Sequence, residues 1–248
     1  MLVQDTWTLE ESAREAYLAV CALAADGAGL GVFKRDSAYR AVLEHVSEAQ
    51  GRAYLDEILT ESPWLVKYFK RFQQNDRYGA PFTFNYDRRV FSPTTLRYAK
   101  VLGDLVRLFG SLDGMDLVEI GGGYGGQCKI ISDVFAFRSY TIIDLAPVGK
   151  LQQRYLANLG VRGWTCGTPE RLAGRAYDLV ISNYALSELS AEGRRFYADS
   201  LLCRCPRGYI TWNSSDPFDS FGHPLALQVT DERPQTGRTN KIITWGHT

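Results

Sequence analysis

The stretch from Asp116 to Gln127 constrains this chain more than any other, because it combines a strand, a glycine-rich turn and the start of a helix. Leu117, Val118 and Ile120 form a nearly continuous apolar run, which is typical of a parallel strand covered on both faces. Five of the next six residues are glycine, a composition that suits a turn with positive φ angles. Because the following helix would begin with free backbone N–H groups, the sequence predicts a ligand site at this turn.

Two classes of ligand are compatible with these glycines. Gly121, Gly123 and Gly126 satisfy the G-x-G-x-x-G pattern of dinucleotide sites, which is a weak signal by itself. Glu119 favours a different ligand. A carboxylate beside the turn repels the diphosphate of a nicotinamide or flavin dinucleotide, and it attracts the ammonium and sulfonium of S-adenosylmethionine (SAM). A tight turn without any ligand is the third interpretation.

The same stretch resembles the first motif of the class I SAM-dependent methyltransferases, in which an acid stands two residues before the first glycine. The resemblance covers the chain from Asp116 to Asn213 and implies SAM as the cofactor. The turn residues that it implies in SAM binding are Glu119, Gly121, Gly123 and Gln127.

Asp144 lies at the end of the second predicted strand, which begins at Ser139. Dinucleotide and SAM folds both place an acid there to accept hydrogen bonds from the ribose hydroxyls. The alternative is a plain helix cap before Pro147. By the same resemblance, the cofactor site is expected to be completed by Leu145, by Thr168 near the adenine edge, and by Asn183 and Tyr184 after the fourth strand.

Further strand patterns place the chain in the α/β class. They cover residues 161–166, 177–183 and 209–213, with two last strands at 225–229 and 241–245. Five parallel strands followed by an antiparallel pair is the class I methyltransferase plan, so the expected fold is Rossmann-like with an N-terminal helical cap. The expected division is a helical cap and aromatic loop over residues 1–91 and a SAM-binding methyltransferase domain over 92–248.

The region before the glycine turn is predicted to be mainly helical. Helices are expected from Thr8 to about Ala25, from Asp36 to Glu48 and from about Arg52 to Phe72. His45 falls inside the second of these helices, where a solvated or core-edge position is expected.

Aromatic residues mark two further segments of this region. Trp64, Tyr68 and Phe72 recur at helical spacing, which predicts core packing or the face of a homodimer. The turn-rich segment 75–93 predicts an irregular loop that either walls a pocket or packs on itself. Tyr86 in this loop is a candidate for contact with the substrate.

Ser92 and Pro93 begin the helix that leads into the first strand. In class I methyltransferases this helix flanks the SAM site, so the resemblance implies that Arg97 reaches the methionine carboxylate of SAM. Arginine suits a carboxylate because it can form paired hydrogen bonds. A surface position for Arg97 is the alternative.

Composition narrows the partners and the compartment. Lys+Arg and Asp+Glu each number 28, a balance that argues against a nucleic-acid partner. No apolar run is long enough to cross a bilayer, so no membrane partner is expected. The five cysteines fit no zinc framework, and no signal peptide is recognisable. We therefore expect a cytoplasmic protein with reduced thiols.

Methyl transfer to an alcohol requires a base, and the sequence offers few candidates. Glu188 follows the fourth strand, and His223 lies in a polar loop after the fifth. Both are expected to be catalytic, with Asp216 in the same loop as a substrate-binding residue. Asp216, Asp219 and His223 match no compact metal motif, so no metal site is expected.

Outside the glycine turn, the chain resembles the sugar O-methyltransferases that accompany glycan biosynthesis. The resemblance rests on short motifs at residues 92–98, 187–189, 232–234 and 240–246. It implies a small-molecule or glycan acceptor and O-methylation of a sugar hydroxyl. Two alternatives are a methyltransferase for a non-sugar natural product and a SAM-fold partner subunit without turnover.

Overall fold

The computed structural model describes residues 10–214, 218 and 222–247 of the 248-residue chain. Residues 10–91, called the cap below, are mainly helical and precede a sheet flanked by helices. The cap contains α1 (Glu11–Asp26), α2 (Ser37–Val42), α3 (Glu48–Glu61), α4 (Phe69–Phe72) and a hairpin of β1 (Phe84–Tyr86) and β2 (Arg89–Phe91). The helices that follow are α5 (Pro93–Phe109), α6 (Gly126–Ser132), α7 (Ala146–Asn158) and α8 (Ala191–Ser200).

The sheet has seven strands, and its order confirms the predicted Rossmann-like α/β class. The strands are β3 (Asp116–Ile120), β4 (Ser139–Ile143), β5 (Trp164–Gly167), β6 (Leu179–Asn183), β7 (Gly208–Trp212), β8 (Gln228–Asp231) and β9 (Lys241–Trp245). Their order is β5-β4-β3-β6-β7-β9-β8. The first five are parallel, and β9 runs antiparallel to both β7 and β8. The carboxyl ends of five strands therefore meet at one edge.

The glycine turn between β3 and α6 has the backbone geometry that its composition predicts. Gly121, Gly123 and Gly125 have φ angles of 72°, 53° and 91°. Residues with a Cβ rarely adopt such positive φ angles. A Cβ added at Gly121 would lie 2.1 Å from the Cβ of Ala185. A Cβ at Gly123 would lie 2.2 Å from Cδ1 of Leu43 in the cap. Only glycine fits these positions, because the turn is closely covered by its neighbours.

The cap and part of the sheet share one hydrophobic cluster, which a buried lysine joins. Lys34 of the cap is fully buried, donates a 2.8 Å hydrogen bond from Nζ to the carbonyl of Asn75, and lies 3.8 Å from the ring centroid of Tyr124. Tyr124 belongs to the glycine turn, and its hydroxyl accepts a hydrogen bond from Nδ2 of Asn75. Tyr155 of α7 donates from its hydroxyl to the same Asn75 carbonyl. The cap therefore supports the glycine turn from behind.

The helix boundaries in the cap differ from the predicted ones. The predicted cap residue Thr8 lies outside the described residues, and α1 begins at Glu11. The helix expected from Asp36 to Glu48 ends at Val42. Ser47 and Gln50 instead form a capping box that begins α3, so residues 43–46 become a loop. The expected irregular loop 75–93 contains the hairpin of β1 and β2.

No helix among the described residues is both long and apolar enough for a membrane span.

Candidate functional site

A cavity of about 270 Å³ opens at the carboxyl edge of the parallel strands, below the helical cap. Glu119 of β3 faces it, together with residues that follow strands: Gly121 after β3, Asp144 after β4 and Asn213 after β7. The cap contributes a further wall from α1, α3 and the loop between α2 and α3. The cavity is therefore enclosed by parts of the chain that are far apart in sequence.

Glu119 is a buried carboxylate at the base of this cavity. Its side chain is 1% exposed, and Oε2 accepts a 2.8 Å hydrogen bond from the hydroxyl of Tyr140 on β4. Burial raises the pKa of Glu119 to about 8; the Tyr140 hydrogen bond opposes this rise and the nearby Asp144 adds to it. A cation bound beside Glu119 would favour the ionised form, so the cavity has a preference for positive charge here.

Asp144 joins the end of β4 to the glycine turn. Its Oδ2 accepts hydrogen bonds from the Gly123 amide at 3.0 Å and from Nε2 of Gln152 at 3.1 Å. Its Oδ1 accepts from the Leu145 amide at 2.8 Å. Burial nevertheless raises the pKa of Asp144 to about 7, although these hydrogen bonds oppose the rise. The carboxylate is thus held rigidly at the edge of the cavity.

A second, smaller cavity of about 40 Å³ lies on the other side of Asp144. Gly121, Asp144 and Ala185 line both cavities, so the two adjoin. The lining of the smaller one is mainly apolar: Ile120, Ile143, Leu145, Pro169, Leu189 and Tyr197, with Thr168 at its edge. A ligand with a flat apolar end and a polar end could therefore extend past Asp144 from one cavity to the other.

Arg97 of α5 is a buried cation that faces the larger cavity. The residue is 6% exposed, and its Nε has no hydrogen-bond partner. No carboxylate in residues 10–214, 218 and 222–247 lies within ion-pair distance of it; its guanidinium carbon lies 5.5 Å from the ring centroid of Tyr98 and 5.3 Å from that of Tyr184. The Nδ2 of Asn183, beside it in the lining, is also buried without a partner. Two unsatisfied donors in one wall indicate an anionic ligand group.

Glu188 lies in the short 3₁₀ turn Ala185–Glu188 that follows β6. Burial raises the pKa of Glu188 to about 7, while the charge of Arg97 opposes the rise. His45, in the loop between α2 and α3, lines the same cavity. Burial, and then the charge of Arg97, lower the pKa of His45 below its usual value, and a hydrogen bond to the Val42 backbone opposes this. Near neutral pH both side chains can accept a proton.

Most of the predicted site residues meet at these two cavities. The larger cavity contains Arg97, Glu119, Gly121, Gly123, Asp144, Asn183, Tyr184 and Glu188. The smaller one contains Leu145 and Thr168. Gln127 lines neither, because it is fully buried and its Nε2 donates to the carbonyl of Tyr98, 3.2 Å away. It joins α6 to α5, and the lining of the two cavities gives its predicted contact with the cofactor no support.

Three other predicted residues are not at the cavity. His223 lies at the opposite end of β7, where Nε2 is 3.0 Å from the Leu202 carbonyl and its ring packs 4.6 Å from that of Trp245. This position contradicts its predicted role as a catalytic base, because the cavity lies at the carboxyl end of β7. Tyr86 is 1% exposed in the cap core, and its hydroxyl donates to the Glu48 carbonyl, so a substrate contact is wrong too. Asp216 lies outside the described residues.

The sequence interpretation missed a set of polar residues in the cavity wall. They are His45, Gln50, Tyr54, Asn213, Thr236 and Asn240. The capping box Ser47-x-x-Gln50 is a local signal that a new helix begins at this point. It would have ended the predicted helix earlier and placed His45 in a loop. Thr236 carries no such signal. Asn240 begins the 240–246 motif, but only the return of the chain between β8 and β9 brings both residues to the site.

Among the described residues, no group of three or more His, Cys, Asp or Glu side chains is arranged to hold a metal ion.

Comparison with known proteins gives similar structures but no similar sequence. No protein-family model and no curated protein matches the chain. A Galdieria sulphuraria protein described as a sarcosine dimethylglycine methyltransferase shares 21% identity over 48% of this chain and 48% of its own, with a TM-score of 0.41. The chain thus spans about half the length of that protein.

Two other similar structures contain SAM. The magnesium protoporphyrin IX methyltransferase (ChlM) of Synechocystis PCC 6803 with bound SAM shares 16% identity over 76% of this chain and 95% of its own, with a TM-score of 0.47. A mutant of MtNAS in complex with S-adenosylmethionine shares 14% identity over 96% of this chain and 98% of its own, with a TM-score of 0.48. Similarity this low carries no inference about the reaction or the substrate of this protein.

Proposed function

We propose that this protein is a SAM-dependent O-methyltransferase that methylates a hydroxyl of a sugar or a sugar-bearing small molecule. One observation carries the proposal: the cavity at the glycine turn is lined by the carboxylates of Glu119, Asp144 and Glu188 and by the buried Arg97, whose Nε has no hydrogen-bond partner. Because burial raises the pKa of Glu119 to about 8, its ionised form gains from a bound cation, which a diphosphate does not supply. SAM carries two positive charges and one carboxylate, which matches this arrangement.

The residues of both cavities fit SAM in detail. The mainly apolar small cavity suits an adenine ring, and Asp144, which lines both cavities, suits the ribose hydroxyls. The unsatisfied Nε of Arg97 suits the methionine carboxylate. Gly121 and Gly123 leave bare backbone next to the larger cavity, where any side chain would occupy space needed by the ligand or by Ala185 and Leu43.

The remaining residues have to position an acceptor and remove its proton. SAM, when bound, supplies an activated methyl group on a sulfonium. Correct placement of two reactants lowers the free-energy barrier by up to about 7–11 kcal/mol. The main task of the residues that line the cavity is therefore to hold the acceptor in place. We assign Glu188 to accept the proton of the acceptor hydroxyl, because its raised pKa makes it a competent base near neutral pH. His45 is the second group that could do so.

The acceptor wall supports a hydroxyl-rich acceptor. Away from the glycine turn the cavity is lined by amides and hydroxyls, contributed by Gln50, Tyr54, Asn213, Thr236 and Asn240. Such neutral polar groups form hydrogen bonds with sugar hydroxyls without requiring charge on the acceptor. The resemblance of the motifs at 187–189, 232–234 and 240–246 to sugar O-methyltransferases points to the same class.

Calorimetry and a transfer assay test the proposal. The purified protein should bind SAM and S-adenosylhomocysteine but not NADH, and it should transfer label from [methyl-³H]SAM to sugars in a panel that also contains phenols and carboxylic acids. Transfer should persist in EDTA, since no metal is expected to take part. Binding of NADH in place of SAM would refute the proposal, labelled phenols would favour the non-sugar alternative, and SAM binding without transfer would favour a partner subunit.

The raised pKa values of the cavity carboxylates predict a pH-dependent effect of SAM on stability. Burial raises the pKa of Glu119 to about 8 and those of Asp144 and Glu188 to about 7. The unfolded chain releases these protons near pH 4, whereas the folded protein retains them to pH 7–8. These three groups should therefore make the ligand-free protein less stable as the pH rises from about 4 to about 8.

SAM should reverse this loss, because its positive charges stabilise the ionised carboxylates. We expect the rise in Tm caused by SAM to be larger at about pH 7.5 than at about pH 6, measured by differential scanning fluorimetry. The variant Glu119→Gln should show a smaller difference between the two pH values. A Tm rise that is larger at the lower pH would contradict the assignment of cationic ligand groups to these carboxylates.

A further inference from the structure

The segment between β8 and β9, residues 232–240, is organised around a buried carboxylate. Glu232 is 3% exposed and accepts hydrogen bonds from the Thr236 amide at 3.0 Å, from Oγ1 of Thr236 at 2.5 Å and from Nδ2 of Asn240 at 2.9 Å. The Tyr184 hydroxyl donates a fourth. In the described part of the chain no Lys or Arg forms an ion pair with Glu232, so hydrogen bonds alone hold this charge.

This β8–β9 segment reaches the larger cavity and touches the cap. Thr236 and Asn240 are both part of the cavity lining. The Thr236 carbonyl accepts a 3.4 Å hydrogen bond from Nε2 of Gln50 in α3, and Arg233 lies 3.6 Å from a carboxylate oxygen of Glu57. The segment therefore closes the cavity on the side away from the glycine turn.

Glu232 also fixes Tyr184, which precedes the turn that contains the proposed base Glu188. Tyr184 has a φ angle of 68°, which is strained for a residue with a side chain. Its ring packs 5.3 Å from the Arg97 guanidinium, and it directly precedes the 3₁₀ turn that holds Glu188. One carboxylate thus fixes both the β8–β9 segment and the exit of β6.

The hydrogen bonds to Glu232 determine which polar groups remain for a ligand. The Thr236 hydroxyl donates its proton to Glu232, and the Asn240 amide uses its N–H groups on Glu232 and on Oγ1 of Thr236, which lies 3.1 Å away. Oγ1 of Thr236 and Oδ1 of Asn240 then offer lone pairs only. Lone pairs accept hydrogen bonds from O–H groups and repel carboxylate or phosphate oxygens.

We propose that the β8–β9 segment is the acceptor-recognition element, that Glu232 is its positioning residue, and that it selects neutral hydroxyl donors over anionic acceptors. The proposal rests on the proposed function and narrows its substrate class. Glu232 acts through Thr236, Asn240 and Tyr184 and does not itself contact the acceptor. Its loss should therefore weaken acceptor binding and discrimination much more than cofactor binding, which Glu232 can affect only through Tyr184.

The experiment compares a neutral hexoside with the corresponding hexuronide, which carries a carboxylate, as acceptors. The wild-type protein should prefer the hexoside at least about tenfold in kcat/KM. Glu232→Gln should raise the KM for the hexoside about tenfold or more and reduce that preference, with the Kd for S-adenosylhomocysteine changed less than about twofold. Thr236→Val keeps the shape of the side chain and should act in the same direction, which keeps the test valid if Glu232→Gln does not fold.

The matched control is Asp231→Asn, on the exposed strand β8 next to Glu232, whose carboxylate pairs with Lys241. It should leave both kinetic constants unchanged. A wild-type preference for the hexuronide, an unchanged KM in both test variants, or an equal loss of S-adenosylhomocysteine affinity would overturn this inference alone. Absence of methyl transfer to either sugar by the wild type would overturn the proposed sugar acceptor together with it.

Discussion

Glu188→Gln is expected to lower kcat for methyl transfer about 100-fold or more, with a much smaller loss of affinity for SAM. The reason is that glutamine keeps the size and polarity of the side chain but cannot accept a proton, and general base catalysis typically contributes about 10²–10⁴-fold. In the wild type, kcat/KM should rise with pH as Glu188 ionises, at about pH 7 in the ligand-free protein, and then level off. Steady-state kinetics with labelled SAM between about pH 5.5 and pH 8.5 would measure both effects.

The control for this variant is Glu192→Gln, in the first turn of α8 and exposed. It makes the same chemical change four residues away and should be fully active. His45→Gln separates the second candidate base from the first. If Glu188→Gln retains full activity and His45→Gln loses it, the proton goes to the cap histidine, and the assignment of Glu188 is wrong.

Asp144→Ala should weaken SAM binding at least tenfold, which corresponds to about 1.4 kcal/mol. Two causes act together. The variant removes the proposed acceptor of hydrogen bonds from the ribose, and it releases the Gly123 amide, the Leu145 amide and Nε2 of Gln152 from their partner. Isothermal titration calorimetry with SAM and with S-adenosylhomocysteine measures the loss directly.

A matched control for Asp144→Ala is Asp199→Ala, since the Asp199 carboxylate is 58% exposed in an ion pair with Arg195 on α8. Removing such an exposed ion pair costs little, and SAM affinity should be unchanged. If Asp144→Ala binds SAM as tightly as the wild type and retains its far-UV circular dichroism, the ribose does not contact Asp144. The proposed course of SAM past this residue would then be wrong.

The sequence predicts the cofactor side of the site well because each of its residues lies within a local pattern. The strand before Gly121, the glycines themselves and the acid after β4 are all fixed by backbone requirements that composition reveals. Parallel strands also place their carboxyl ends at one edge, so Asp144 and Asn183 meet the turn without further information.

The acceptor side could not be predicted in the same way, because its residues come from loops that depend on long-range packing. His223 follows β7 in the sequence but lies near the start of that strand, at the end opposite to the cavity. Its position after a strand was therefore misleading. Tyr86 has the character of a sugar-stacking residue, yet the hairpin of β1 and β2 places it in the cap core. His45 was lost through a single helix boundary, at Val42.

The burial of Lys34 has a consequence for how such proteins can be recombined. Its ammonium depends on the Asn75 carbonyl and on the rings of Tyr124 and Tyr155, of which the last two belong to the sheet-bearing part of the chain. Grafting the first ninety or so residues onto a foreign Rossmann-like scaffold would keep the Asn75 carbonyl but remove both rings that enclose the ammonium, a loss of about 2 kcal/mol for a desolvated cation–π contact. Chimeras that exchange only these first ninety or so residues should therefore misfold unless Lys34 is transferred together with Tyr124 and Tyr155.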